Sequence, residues 1–116
     1  MKQPKFQIGD KVSMRTKTLY GETEGKITEV RKVYQETWED GSFRSDGLCY
    51  DENEIENISI EHTFDGETLT IKSPQREFST FILKAETRVH KFNGYSYTVK
   101  TPKINTLYYE KSLRKI

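Results

Sequence analysis

The side chains able to do chemistry in this chain are few and widely separated. His62 and His90 stand 28 positions apart, and both interrupt alternating apolar runs. A histidine on such a face is more often a packed core residue than a metal ligand. Cys49 is the single cysteine, which excludes an internal disulfide and a cysteine-based zinc site. As a nucleophile it would need a histidine held by a carboxylate, and no spacing pairs them. Asp40-Gly41-Ser42-Phe43-Arg44-Ser45-Asp46 has the flavour of a calcium loop, but Phe43 and Arg44 stand where oxygen ligands are needed. The run Asp51-Glu52-Asn53-Glu54-Ile55-Glu56 is dense in carboxylates, whereas acid–base work needs two carboxylates in unlike surroundings. It reads as a solvated acidic turn. Gly21 and Gly25 bracket a loop too acidic to cradle a phosphate. The sequence therefore predicts no catalytic residue, no metal site and no cofactor.

Binding chemistry is better represented. Tyr34, Trp38, Phe43 and Tyr50 come from adjacent elements, with Glu36, Glu39, Asp40 and Asp51 beside them. Rings flanked by acids suit the grip of a cationic side chain; the competing reading is that these rings form a small core. Downstream, Arg88, His90, Lys91, Lys100 and Lys103 accompany Phe92, Tyr95, Tyr97, Tyr108 and Tyr109. Basic groups among aromatics suit phosphate contact and base stacking, and the competing reading is a solvated sheet face. Net charge is +1, far from a typical nucleic-acid footprint. The charge is uneven along the chain, however. Residues 1–18 carry five basic and one acidic group, residues 35–67 one basic and eleven acidic, and residues 68–116 ten basic and three acidic. Such blocks give either opposed faces or, if folding interleaves them, a cancelled field.

The elements that must position these groups are mostly strands. Of 116 residues, 33% are hydrophobic and 32% charged, so the core is modest, yet seven Tyr, six Phe and one Trp argue against disorder. No apolar run approaches the ~20 residues a membrane span requires. Met1 to Lys5 carries charge with no apolar stretch behind it, so a secretory signal is not expected and the cytoplasm is the expected compartment. Ile58 to Phe64 and Glu67 to Lys72 alternate around Asp65-Gly66, which predicts a hairpin with Phe64 opposite Glu67 and His62 opposite Leu69. Thr87 to Phe92 and Tyr95 to Lys100 flank Asn93-Gly94 and predict a second hairpin, with Phe92 facing Tyr95. Lys26 to Trp38 reads as one long strand, or two bent at a bulge. Ser73-Pro74 followed by Phe78, Phe81, Ile82 and Ala85 favours a short helix over 74–85, with a strand through 78–83 as the alternative. Tyr50, Ile55 and Ile58 share their spacing with Tyr108, Leu113 and Ile116, as a duplication of one small barrel would produce.

Ile8-Gly9-Asp10-Lys11-Val12, then Gly21 to Val30, then Trp38 to Ser42 and Tyr50 to Ile55, give the chain a resemblance to the KOW/Tudor group of SH3-like small barrels over residues 6–60. The Gly21–Gly25 spacing departs from the tighter KOW pattern by about one residue. The resemblance implies a mostly β fold of antiparallel hairpins, with a barrel over 1–60 and a second, related β subdomain over 61–116. The scarcity of catalytic and metal-binding groups, rather than this likeness, points to binding rather than catalysis. The expected role is a non-enzymatic module that docks a protein partner through Tyr34, Trp38, Phe43, Tyr50 and Asp51. The alternatives are nucleic-acid binding through Arg88, Lys91, Tyr95, Tyr97, Lys100 and Lys103, and an inhibitor whose acidic 35–67 segment imitates nucleic-acid charge.

Overall fold

Alternating apolar and polar residues become antiparallel strands throughout the chain, and the fold is mostly β. The computed structural model describes residues 3–73, 76–77, 80–83 and 85–116. In order, the elements are β1 (Lys11–Met14), β2 (Glu24–Glu36), β3 (Cys49–Asp51), α1 (Glu52–Glu56), β4 (His62–Phe64), β5 (Thr68–Lys72), β6 (Arg76–Glu77), β7 (Ile82–Leu83), β8 (Thr87–Lys100), β9 (Asn105–Tyr109), a 3-10 turn (Glu110–Ser112) and β10 (Leu113–Lys115). The chain forms two compact units that interleave in sequence: residues 1–32 with 94–116, and residues 33–93. The strands β2 and β8 are long enough to serve both.

In the first unit, β10 pairs with β1, and β1 with the start of β2. The start of β2 lies beside the end of β8, where the Thr28 hydroxyl donates to the Thr98 carbonyl at 3.4 Å, and β8 continues to β9. Inward positions alternate as a pleated strand requires. Val12 and Met14, Ile27, Tyr97 and Val99, and Leu113 meet Phe6 in one core. The Tyr97 hydroxyl donates to the Glu110 carboxylate at 2.5 Å and accepts from the Lys5 amide at 3.0 Å, pinning the N-terminal segment. Burial, and then the Glu110 carboxylate, hold this phenol above its usual pKa. Gly25 is required by space: a Cβ there would meet Val99 Cγ1 at 2.5 Å and the Lys100 carbonyl at 2.9 Å.

In the second unit, β4 pairs with β5, β5 with the start of β8, and the end of β2 with β3. The end of β2 lies beside the start of β8, and the Thr37 amide just beyond it donates to the Val89 carbonyl at 2.8 Å. Tyr34, Ile55, Leu69 and Ile71 form the core, with Tyr50, Ile58 and Phe92 packed against it. Tyr34 meets Phe64 and Phe92 edge-on at 5.0 and 6.1 Å, and its hydroxyl donates to the Gly66 carbonyl. The two units have matching parts. A buried tyrosine on the long strand stands opposite a second tyrosine, as Tyr34 opposite Tyr50 and Tyr97 opposite Tyr108. A short helical segment follows in each case, and Ile55 and Leu113 are the buried residues near its end.

Three sequence expectations are corrected. Asn93-Gly94 is not a hairpin turn but lies inside β8. The runs on either side each find another partner, Thr87–Lys91 on β5 and Ser96–Lys100 on β9. Gly94 alone has positive φ, +94°, whereas the expected turn needs two such residues. The Asp65-Gly66 hairpin forms, but two positions out of the expected register, with Phe64 opposite Leu69 and His62 opposite Ile71. Here the Asp65 carboxylate accepts from the Glu67 and Thr68 amides, so an Asx-type loop over residues 65–67 replaces the expected turn. A shift of two keeps every side chain on its expected face. The helix expected over 74–85 is not seen at 76–77 and 82–83, which pair as β6 and β7; residues 74, 75, 78, 79 and 84 lie outside the described residues. The α-helix is instead α1, in the acidic run expected to be a turn. Asp51 caps it, accepting from the Asn53 and Glu54 amides at 2.9 Å.

Two results are expected from this packing. Gly25→Ala destabilises the protein by about 1–3 kcal/mol in urea unfolding, the usual cost of overpacking. His90 is fully buried, with its ring 5.2 Å from that of Tyr50 and no hydrogen-bond partner for either ring nitrogen among the described residues. Burial, opposed by the Glu36 carboxylate, pushes its pKa below the usual histidine value. The unfolded chain therefore takes up a proton that the native state resists, and stability falls as pH drops below about 6.5. His90→Leu flattens that part of the stability–pH curve. An unchanged slope between pH 7 and 5 would show that His90 does not control it.

Candidate functional site

The loop between β2 and β3 builds the most developed surface feature of the second unit. The β2 ladder is extended past Glu36 by an isolated Thr37–Phe43 bridge and by Trp38 N–H donating to the Ser42 carbonyl at 2.8 Å. The tip turns at Asp40-Gly41, where Gly41 has φ +87° and its amide donates to the Trp38 carbonyl. The Asp40 carboxylate accepts from the Ser42 amide and hydroxyl at 2.9 and 2.6 Å, and these bonds hold its pKa below the ordinary aspartate value. Gln35 reaches under the loop and donates its side-chain amide to the Arg44 and Gly47 carbonyls. The result is a loop whose backbone is held at both ends and at the tip.

That loop forms one wall of an open cleft of about 640 Å³. Trp38, Gly41 and Arg44 contribute from the loop, and Glu86, Arg88 and Lys91 from the opposite side. Trp38 is half exposed, at 51%. The Arg44 guanidinium lies over its ring at 4.5 Å and bonds the Asp46 carboxylate at 2.8 Å through Nε. The bond to Asp46 keeps the Arg44 pKa above and the Asp46 pKa below their usual values. Behind them lies Glu36, a buried carboxylate. One oxygen faces Arg44 at 3.7 Å and Arg88 at 4.0 Å, while the other accepts from the Leu48 amide at 3.0 Å. Gly47 makes room for it, since a Cβ there would meet Glu36 Cβ at 2.7 Å. One buried acid thus orients two arginines that enter the cleft from opposite walls. Lys91 carries no ion-pair partner among the described residues.

The sequence-derived site residues divide as follows. Of the aromatic–acidic set, Trp38 and Phe43 are exposed on the loop, Tyr34 is buried in the core, Tyr50 packs on His90, and Asp51 is spent on capping α1. Trp38 is covered on one face by the chain's own Arg44, so these rings do not close into a cage. Of the basic–aromatic set, Arg88 and Lys91 line the cleft of the second unit. Tyr95, Tyr97, Lys100 and Lys103 belong to the first unit. There Tyr97 is fully buried, Tyr95 packs on the core, and Lys103 lies over Tyr20 at 5.3 Å. Arg44 was not singled out as a binding residue, although it is the one basic residue in 35–67 and its isolation was a usable signal. The His62 Nδ1–H donates to the Ile60 carbonyl, 2.8 Å away, and no group of three or more His, Cys, Asp or Glu among the described residues is placed to hold a metal. No protein-family model, curated protein or solved structure matches this chain.

Removing the buried acid should loosen the site. Glu36→Ala leaves Arg44, Arg88 and the Leu48 amide without their shared acceptor. The expected loss is about 1–3 kcal/mol in chemical unfolding, reduced by the partial exposure of both arginines.

Proposed function

We propose that the chain is a non-catalytic binding module that docks a protein partner at the Trp38 cleft. The observation that carries this reading is a half-exposed tryptophan, stacked under Arg44, on a loop whose conformation is fixed before any partner arrives. Tryptophan and arginine dominate binding energy at protein interfaces, and a rigid anchor loses little entropy on docking. Trp38, Arg44, Arg88 and Lys91 meet Glu39 and Glu86 around one cleft. Mixed charge of that kind suits a protein surface carrying both signs better than a polymer of one sign.

The likeness to SH3-like barrels fits this role, and the matching places of Tyr34, Tyr50 and Ile55 with Tyr97, Tyr108 and Leu113 support reading the units as divergent copies of one small barrel. Fold alone does not name a partner, so the cleft carries the proposal.

The test is capture from a host lysate on immobilised protein, with recovered proteins quantified by mass spectrometry. Trp38→Ala should weaken capture of the main partner at least tenfold while the melting temperature stays within about 2 °C, as expected for a half-exposed hot spot. Equal capture by the variant would place the interface elsewhere.

A further inference from the structure

The first unit has a charge that the cleft does not use. Its residues include thirteen basic and five acidic side chains, a net of +8, whereas residues 33–93 include six basic and thirteen acidic, a net of −7. The sequence blocks did not cancel on folding; they were sorted. Within the first unit four of the basic groups gather on the outward side of the sheet. Val12, Ile27, Val99 and Leu113 point into the core, so Lys11, Lys26, Lys100 and Arg114, their neighbours in the strands, point away from it, and all four are exposed.

The register makes this face unusual. Lys11 stands directly opposite Lys26, an arrangement of like charges that destabilises a sheet. Arg114 stands opposite Ser13, two residues along the same face of β1. Lys100 follows across β8, whose carbonyl at that position lies against Gly25 of β2. None of these four cations has a carboxylate partner among the described residues; Glu24, opposite Ser13, is the acid on this side. On the adjoining β9, Tyr109 is 46% exposed and stands opposite Ser96, which is itself buried although it shares the strand face of Lys100. A local rule broken without compensation marks a surface kept for something other than stability.

We propose that this outward face of the first unit binds single-stranded nucleic acid. Lys11, Lys26, Lys100 and Arg114 meet successive phosphates, and Tyr109 offers a stacking platform for a base. Cations spread over a strand surface with a half-exposed ring suit an extended backbone with unstacked bases. The hydroxyl-bearing Thr28 and Thr98 sit among the cations, and the exposed Leu107 opposite Thr98 adds a single aliphatic side chain, less than a surface that inserts into lipid carries. This site is separate from the Trp38 cleft and stands or falls independently of it.

The experiment is fluorescence anisotropy of the whole protein with labelled 20-nucleotide dT and U oligomers, in 50 and 200 mM NaCl. Four phosphate contacts on a single strand predict a loss of affinity of roughly fiftyfold between the two salts. Lys11→Glu with Lys26→Glu should weaken binding at least tenfold, and Tyr109→Ala about fivefold or more, while Lys72→Glu and Trp38→Ala leave it unchanged. Lys11→Gln with Lys26→Gln, checked by circular dichroism, keeps the test valid if the charge reversal unfolds the protein. Failure of the wild type to bind either oligomer in 50 mM salt would overturn the proposal. So would equal binding by the Gln variant, or binding to phosphatidylserine vesicles with none to the oligomers.

Discussion

A strand shows alternate residues to opposite faces, and two strands in this protein must serve two cores. Within β2, Ile27 points into the first core and Tyr34 into the second, an odd and an even position. The alternation of burial breaks at Val33 and Tyr34, neighbours that are both buried. In β8 the same problem appears in reverse order, with Phe92 in the second core and Tyr97 and Val99 in the first. Its break contains Gly94, at φ +94°, and Ser96 and Tyr97 are neighbours that are both buried. The sharing of each long strand between two cores is the constraint on which the remaining architecture rests. It fixes which side chains become core and which remain available to bind.

The same constraint explains how the charges were sorted. The chain enters and leaves the first unit through the long strands, so its basic ends are gathered together and its acidic middle is kept apart. Glu36 shows the consequence at a single residue. It is the last residue of β2, buried on the inward phase of the second unit, and there its carboxylate organises Arg44 and Arg88. A one-residue slip would carry that acid to the surface and release both arginines.

Much of the fold was legible in the sequence, and the exceptions have physical causes. Alternation around Asp65-Gly66 located β4 and β5 correctly, because local patterning and tertiary pairing agree there. The register slipped by two because the Asp65 side chain bonds the loop amides, a choice that turn statistics do not encode. Asn93-Gly94 misled for a different reason: its flanking strands had better partners far away in sequence, and local turn preference lost to long-range pairing. The acidic run after Tyr50 hid a helix although Asp51 and Glu54 stand three apart, the spacing of a capping signal. For the site, aromatic type alone did not separate core from surface. Tyr34 and Trp38 are four residues apart, yet one lies on the inward phase of β2 and the other beyond its end.

Trp38 is the only tryptophan in the chain, which makes its emission a direct reporter on the cleft. The most decisive measurement is titration of the purified partner into the wild-type protein while tryptophan fluorescence is followed, using a partner segment that lacks tryptophan. Docking at the cleft predicts a blue-shifted emission that saturates at one partner per chain, as a half-exposed indole is desolvated. Complex formation confirmed by mass, with emission unchanged from the free protein, would contradict the account.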